Sequence, residues 1–291
     1  MVINLDGLIV SMLTPMNEDY NIDFFGLKNL TARLMNKGVQ NFVILSENSE
    51  YAFFDYSFQK KIVVGVSKEI GVRGNLIVGC FSDSTDEIIE KVRFAEKYSN
   101  YCLVNVPFNA LTNEVDFIDF FDNLFTKTKA NIILYNNPFL FKKNIPIFGL
   151  NKIVGWEKLI GIIDCSKNKS YFKMLCDYHQ LLKIFQGYEV FAVESFNFNC
   201  SGIVSGLSNV FPELFLNIKK NFKLFGYDSL LRQEIFLLNM LGKISLGKEV
   251  QSYKKMLAIE GIIQEYFSDE LKKLSKDEII YLENILKKSI V

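Results

Sequence analysis

The chain of 291 residues has one histidine, His179, one tryptophan and five prolines. An imidazole-rich metal site or a Ser-His-Asp hydrolase would have to rest on His179 alone. That residue lies in the polar stretch Asp177-Tyr178-His179-Gln180 and reads as a structural or surface histidine. No Cys-x-x-Cys occurs. Cys80, Cys102, Cys165, Cys176 and Cys200 are scattered and odd in number, as free thiols in a reducing compartment would be. Net charge is absent too: 33 Lys and Arg balance 33 Asp and Glu, and no basic tract is interleaved with aromatics. Neither nucleic acid nor an anionic membrane is therefore expected as a partner. No apolar run approaches the roughly 20 residues of a membrane span. The opening Met-Val-Ile-Asn-Leu-Asp-Gly lacks the basic flank and apolar run of a secretory signal, and a cytoplasmic location is expected. No glycine-rich dinucleotide or phosphate motif opens any helix, so no cofactor is expected.

What the chain has is apolar material, 49% of its residues, arranged in short runs that alternate with longer amphipathic segments. Leu8–Leu13 is the first run, closed by Thr14-Pro15. Asp23 then caps a segment in which Phe24, Leu27, Leu30 and Leu34 recur at helical spacing, and Gly38 stops it. Strands follow at Phe42–Leu45, Leu76–Cys80, Tyr101–Val106, Ile132–Tyr135, Leu159–Ile163, Leu182–Phe185 and Ile203–Ser205. The helices between them are placed at Tyr56–Ile70, from Ser84 or Thr85 onward, Val115–Phe125, near Ile147–Val154, Tyr171–Tyr178 and near Val190–Phe198. Pro212 opens the eighth helix. The strands are near-continuous apolar runs, as parallel strands buried on both faces require. Eight strand–helix units in roughly 220 residues imply a (β/α)8 TIM barrel, not an open doubly wound sheet. Residues 228–291 contain no strand pattern. Ser229–Leu241, Glu249–Tyr266 and Lys276–Lys288 predict a three-helix extension docked on a barrel formed by residues 1–224.

The order of short motifs resembles the dihydrodipicolinate synthase / N-acetylneuraminate lyase family of class I aldolase-type barrels. Thr14-Pro15-Met16 with Asn21-Ile22-Asp23 is similar to the family's opening Thr-Pro-Phe and its downstream acidic cap. Tyr135-Asn136-Asn137-Pro138 resembles its Tyr-Asn-x-Pro turn, and Gly161-Ile162 stands where its Gly-x-Lys motif begins. Gly202-Ile203-Val204-Ser205, then Ser208-Asn209-Val210-Phe211-Pro212, resembles its last strand and the turn beyond. The resemblance covers essentially the whole chain. It implies a lyase or aldolase acting on a 2-oxo acid or sugar acid, in a homodimer or homotetramer.

The departures are equally ordered. The family's substrate-bound lysine falls at Ile163, 28 positions after Tyr135 with no gap between the motifs. Its Gly-Thr-Thr-Gly-Glu becomes Ser46-Glu47-Asn48-Ser49-Glu50, its carboxylate-gripping arginine falls at Leu140, and its paired tyrosines become Phe108 and Asn109. Isoleucine offers no amine to condense with a ketone, so the family's iminium chemistry is excluded at that position. An inward, ionised Glu47 about 4 Å from a ligand carboxylate would oppose it by about 4 kcal/mol at an effective dielectric of 20. The resemblance leaves Tyr135 as a possible proton relay, Ile163 as the lost Schiff-base position, and Glu47, Asn48, Ser49 and Val204 as ligand contacts. Lys167, four residues on, reads as a solvated loop lysine. Glu47, Glu50, Asp164 and Glu189 have no metal-ligand spacing, and no metal is expected. Cys165 has no histidine to activate it and reads as a small hydrophobe. Two readings remain: a catalytically silent paralogue that binds a small molecule or assembles with an active relative, and a working lyase rebuilt around Tyr135 with Glu47 or a metal.

Overall fold

The computed structural model describes residues 4–108, 114–242, 244 and 247–289. Eight strands, β1 (Gly7–Ser11), β2 (Asn41–Ile44), β3 (Asn75–Gly79), β4 (Tyr101–Val104), β5 (Asn131–Asn136), β6 (Leu159–Asp164), β7 (Lys183–Gln186) and β8 (Gly202–Ser205), follow one another around a closed barrel. The strand pairs within it are parallel, as between β1 and β2 and from β3 through β8. The strands are buried almost throughout, β2 and β4 at every position. This is the expected TIM barrel, and it follows from apolar runs too short to be helices and too uniformly apolar to have a wet face.

The helices between the strands are α1 (Phe24–Asn36), α2 (Tyr56–Ile70), α3 (Thr85–Ala95), α4 (Glu114–Lys127), α5 (Pro138–Phe141), α6 (Ile147–Ile153) and α7 (Lys169–Cys176). After β8 come α8 (Glu213–Leu216), α9 (Ile218–Phe225), α10 (Leu231–Leu241), α11 (Glu249–Ile259) and α12 (Lys276–Ser289), the last three lying where the C-terminal helical extension is expected. The starts of α1, α2, α3 and α7 are set by side chains that satisfy orphan N–H groups. Asp23 accepts from Gly26, Asp55 from Phe58, Ser84 from Glu87 and Asn168 from Tyr171. Gly38, at φ +95°, takes the left-handed conformation that ends α1.

Two expected helices differ. Between β7 and β8 the chain forms two 3₁₀ turns, Glu189–Phe191 and Glu194–Phe198, with Asn199 left-handed after them. The aromatic and β-branched residues there favour an α-helix weakly, and the short connection holds only single turns. The helix expected over Glu249–Tyr266 ends at Ile259, because Gly261 turns left-handed at φ +71° and reverses the chain. Pro212 stands just before α8, which lasts four residues before α9 begins. Packing divides the chain into two compact units, residues 1–7 with 75–204 and residues 8–74 with 205–291. Among the described residues, no helix is long and apolar enough to cross a membrane.

Candidate functional site

In the unit containing residues 75–204, strand register brings the first candidates into one row. Tyr135 pairs with Ile163, and Ile163 pairs with Phe185. This alignment depends on an irregularity: Ile132 pairs with Leu159 but Ile133 with Gly161, so β6 contributes one extra residue, Ile160. Without it Tyr135 would oppose Ile162, whose side chain lies on the other face. Ile163 is 1% exposed, a hydrocarbon side chain in the middle of the row.

Tyr135 is held by two aromatic rings and at its hydroxyl. Its ring stacks on Phe81 (centroids 5.3 Å apart, 28° between planes) and meets Phe141 edge-on. Its hydroxyl accepts from Asn137 Nδ2 at 3.2 Å and lies 3.8 Å from the Cys165 thiol. Cys165 is half-buried, while the other four free cysteines are buried. Its sulfur fits because residue 187 is glycine; a methyl group there would come within 2.3 Å of Sγ.

The next row faces the other way and is polar. Asn136 pairs with Asp164, and Asp164 with Gln186. Asn136 Nδ2 donates to Asp164 Oδ1 at 2.6 Å and to Asn144 Oδ1 at 3.0 Å, and its own oxygen accepts from Ile145 N–H at 2.8 Å. Ser166 donates to both Asp164 oxygens, N–H to Oδ1 and hydroxyl to Oδ2. Burial still outweighs these donors and pushes the Asp164 carboxyl up to about 6. Burial likewise raises the Tyr171 hydroxyl, whose proton goes to the Ile145 carbonyl.

Lys167 adopts a left-handed backbone at φ +58°, and its ammonium lies over the rings of Phe139 (4.7 Å) and Tyr188 (5.2 Å). It is exposed, as expected of a loop lysine, with its charge against aromatic faces. Leu140 and Phe108 are half-buried. Asn109 lies outside the described residues. Val204 is buried in β8. Among the described residues His179 makes local bonds, Nδ1 with the Cys176 carbonyl and Nε2 with the Gln180 amide.

The unit formed by residues 8–74 and 205–291 holds the remaining candidates on the 3₁₀ turn Glu47–Ser49. Their environments differ sharply. Glu47 is exposed, Asn48 half-buried and Ser49 fully buried. Solvent around Glu47 screens its charge, which brings the opposition to a nearby carboxylate down toward the ~1 kcal/mol of bulk water. The Ser49 hydroxyl donates to the Met12 carbonyl at 2.7 Å, and Thr14 donates to the Ser49 carbonyl at 2.9 Å. The Asn48 amide donates to Ser11 Oγ at 3.0 Å, and Ser11 shares a hydrogen bond with Ser46 at 2.8 Å. Asn48 also rests on Gly206, where a methyl group would come within 2.6 Å of the amide. Asn209 ties the β8 turn to β1 by donating to the Ser11 and Gly206 carbonyls, both at 2.7 Å.

Ser46 and Asn209 stand in the motifs set against the family's, but sequence reasoning did not single them out as site residues, and nothing in the sequence marks their neighbours Ser11 and Gly206. Glu50 closes the turn in a left-handed conformation at φ +60°, and its carboxylate pairs with Lys254 of α11. Lys254 did leave a signal: it shares the apolar face of α11 with Tyr253 and Leu257, an unfavourable place for an unpaired ammonium. Among the described residues, no group of three or more His, Cys, Asp or Glu side chains is placed to hold a metal ion. Glu50 is taken up by Lys254, and Asp164 by Asn136 and Ser166.

These features define a (β/α)8 barrel with a C-terminal helical extension. A profile of the dihydrodipicolinate synthetase family matches residues 4–289, and the chain belongs to that family. An uncharacterized DapA-like lyase of Pyrococcus abyssi is 26% identical over 246 residues, covering 83% of this chain and 81% of the relative. The 4-hydroxy-tetrahydrodipicolinate synthase of Karelsulcia muelleri is 24% identical over 296 residues, covering 98% and 99%. Among solved structures, dihydrodipicolinate synthase from Bacteroides thetaiotaomicron superposes with a TM-score of 0.91 at 22% identity, over 99% of this chain and 100% of that one. The fold is thus shared from end to end.

Proposed function

We propose that the chain is a divergent, catalytically silent paralogue of the family's pyruvate-dependent aldolases and lyases. It binds a small 2-oxo acid or sugar acid at the barrel mouth, or assembles with an active relative. The observation that carries this reading is Ile163, buried in the row between Tyr135 and Phe185 with no amine to offer. No shift of pKa or change of environment makes a nucleophile of a hydrocarbon. Lys167 is a poor substitute, since its side chain is exposed and its ammonium is engaged by two rings outside the row of Tyr135, Ile163 and Phe185. Ligand contacts are assigned to Asn48, Ser49, Glu47 and Val204, and the assembly to a homodimer or homotetramer in the cytoplasm.

One observation favours a second reading, a working carbon–carbon lyase that uses Tyr135 with Glu47 or a metal. The Tyr135 hydroxyl is held between Asn137 and Cys165, as a proton relay would need to be. Borohydride trapping with pyruvate, followed by intact mass, tests the first reading. An unchanged mass is expected. A covalent adduct would refute it, and peptide mapping would show whether Lys167 carries the adduct. Retro-aldol turnover of sialic acid or 2-keto-3-deoxy sugar acids, assayed with and without divalent metal and abolished by Tyr135→Phe, would establish the second reading instead.

A further inference from the structure

Lys254 and Glu50 are both fully buried, and each side chain is 0% exposed. Few lysines lie on the apolar face of a helix at no exposure, and those that do have bonds to spend their charge on. Lys254 has two. It pairs with the Glu50 carboxylate and donates to the Tyr266 carbonyl at 2.9 Å. Burial pulls the ammonium below the usual lysine range, and Glu50 works against that pull. The other Glu50 oxygen accepts from the Ser268 N–H at 2.7 Å. One carboxylate therefore engages both α11 and the segment after it.

That segment reaches further. Tyr266 forms an antiparallel bridge with Met16, its ring meets Tyr20 edge-on, and the Tyr20 hydroxyl donates to Asp269 at 2.5 Å. Thr14, from the same first loop, donates to the Ser49 carbonyl. The turn at 46–50, the loop at 14–22 and the segment at 266–269 thus form one bonded circuit, and the ion pair is its only buried charge pair among the described residues.

We infer that Lys254 is a positioning residue: through Glu50 it makes the C-terminal extension the element that fixes the candidate ligand turn, residues 46–50. The inference rests on the proposed function only in calling that turn ligand-binding. The mechanical part stands without it. Glu50 takes a left-handed backbone that non-glycine residues adopt uncommonly, and its carboxylate is held by Lys254 and the Ser268 N–H. Release of the pair frees the turn and the segment together.

The test is hydrogen–deuterium exchange on the full chain with Lys254→Met, Glu50→Gln and the double variant. Each single change strands a buried ion and lowers the melting temperature, an effect that a purely structural role also predicts. The double variant separates the roles, because with both charges gone the burial penalty disappears. Its melting temperature is expected to return toward the parent. Amides of 46–50 and 266–269 should nonetheless exchange at least about tenfold faster, with those of β5 and β6 unchanged. Parent-like exchange at 46–50 in the double variant would overturn the inference, as would exchange accelerated throughout the chain. Exchange of the parent with and without pyruvate tests the ligand reading separately. If pyruvate leaves 46–50 unprotected while the double variant loosens both segments, the latch stands and the ligand assignment to this turn falls.

Discussion

Replacing Asp164 by asparagine should make the protein more stable at neutral pH, by an amount that depends on pH in a defined way. The carboxyl is 1% exposed, and burial raises it from 3.8 to about 6 even though Asn136 and Ser166 donate to it. Its folded value lies above its unfolded one, so between the two the folded state holds more protons and stability falls as pH rises. The two-unit shift corresponds to about 3 kcal/mol, absent below the unfolded pKa and fully felt above the folded one. Asparagine keeps the shape. Its oxygen can accept from Asn136 and the Ser166 N–H, and its amide can donate to a Ser166 hydroxyl that turns to accept. Urea unfolding of parent and variant from about pH 3.5 to about pH 7.5 checks this: the stability difference should shift by about 3 kcal/mol in the variant's favour, mostly between the two pKa values. A difference flat across that range would refute the reasoning. So would a variant that becomes relatively weaker with rising pH, because the hydrogen bonds would then outweigh the desolvation.

Ile163→Lys places an amine in the row between Tyr135 and Phe185, where burial lowers its pKa and sharpens its nucleophilicity. It is expected to cost about 3 kcal/mol or more in stability and to yield a borohydride-trapped pyruvate adduct that the parent lacks, read by intact mass. A folded variant without an adduct would show that the ligand does not reach this position. Gly202→Ala would put a methyl group 1.9 Å from the Gly7 carbonyl oxygen, backbone against backbone. With no side chain free to yield, a loss of about 3 kcal/mol or more is expected in chemical denaturation.

Much of the fold was legible because barrel strands and amphipathic helices carry different periodicities. Tyr56–Ile70 emerges with its expected ends because Asp55 caps it and Gly71 stops it. The 28-residue step from Tyr135 to Ile163 also survives, as a strand pairing. Helix type was less legible where propensity is weak: the residues after β7 read as one helix and fold as two 3₁₀ turns.

The sequence by itself determined the barrel, its family and the isoleucine at position 163, since each depends on residue type and order along the chain. Only the tertiary structure decided how these residues face one another. The extra residue at Ile160 turns Ile163 onto the face of Tyr135, a register choice made by pairing across strands. Glu47 is exposed while Ser49 is buried because the 3₁₀ turn rotates neighbouring side chains to different environments. Glu50 finds its counter-ion on α11, remote in sequence, because a buried carboxylate must be paired and α11 brings the ammonium to it.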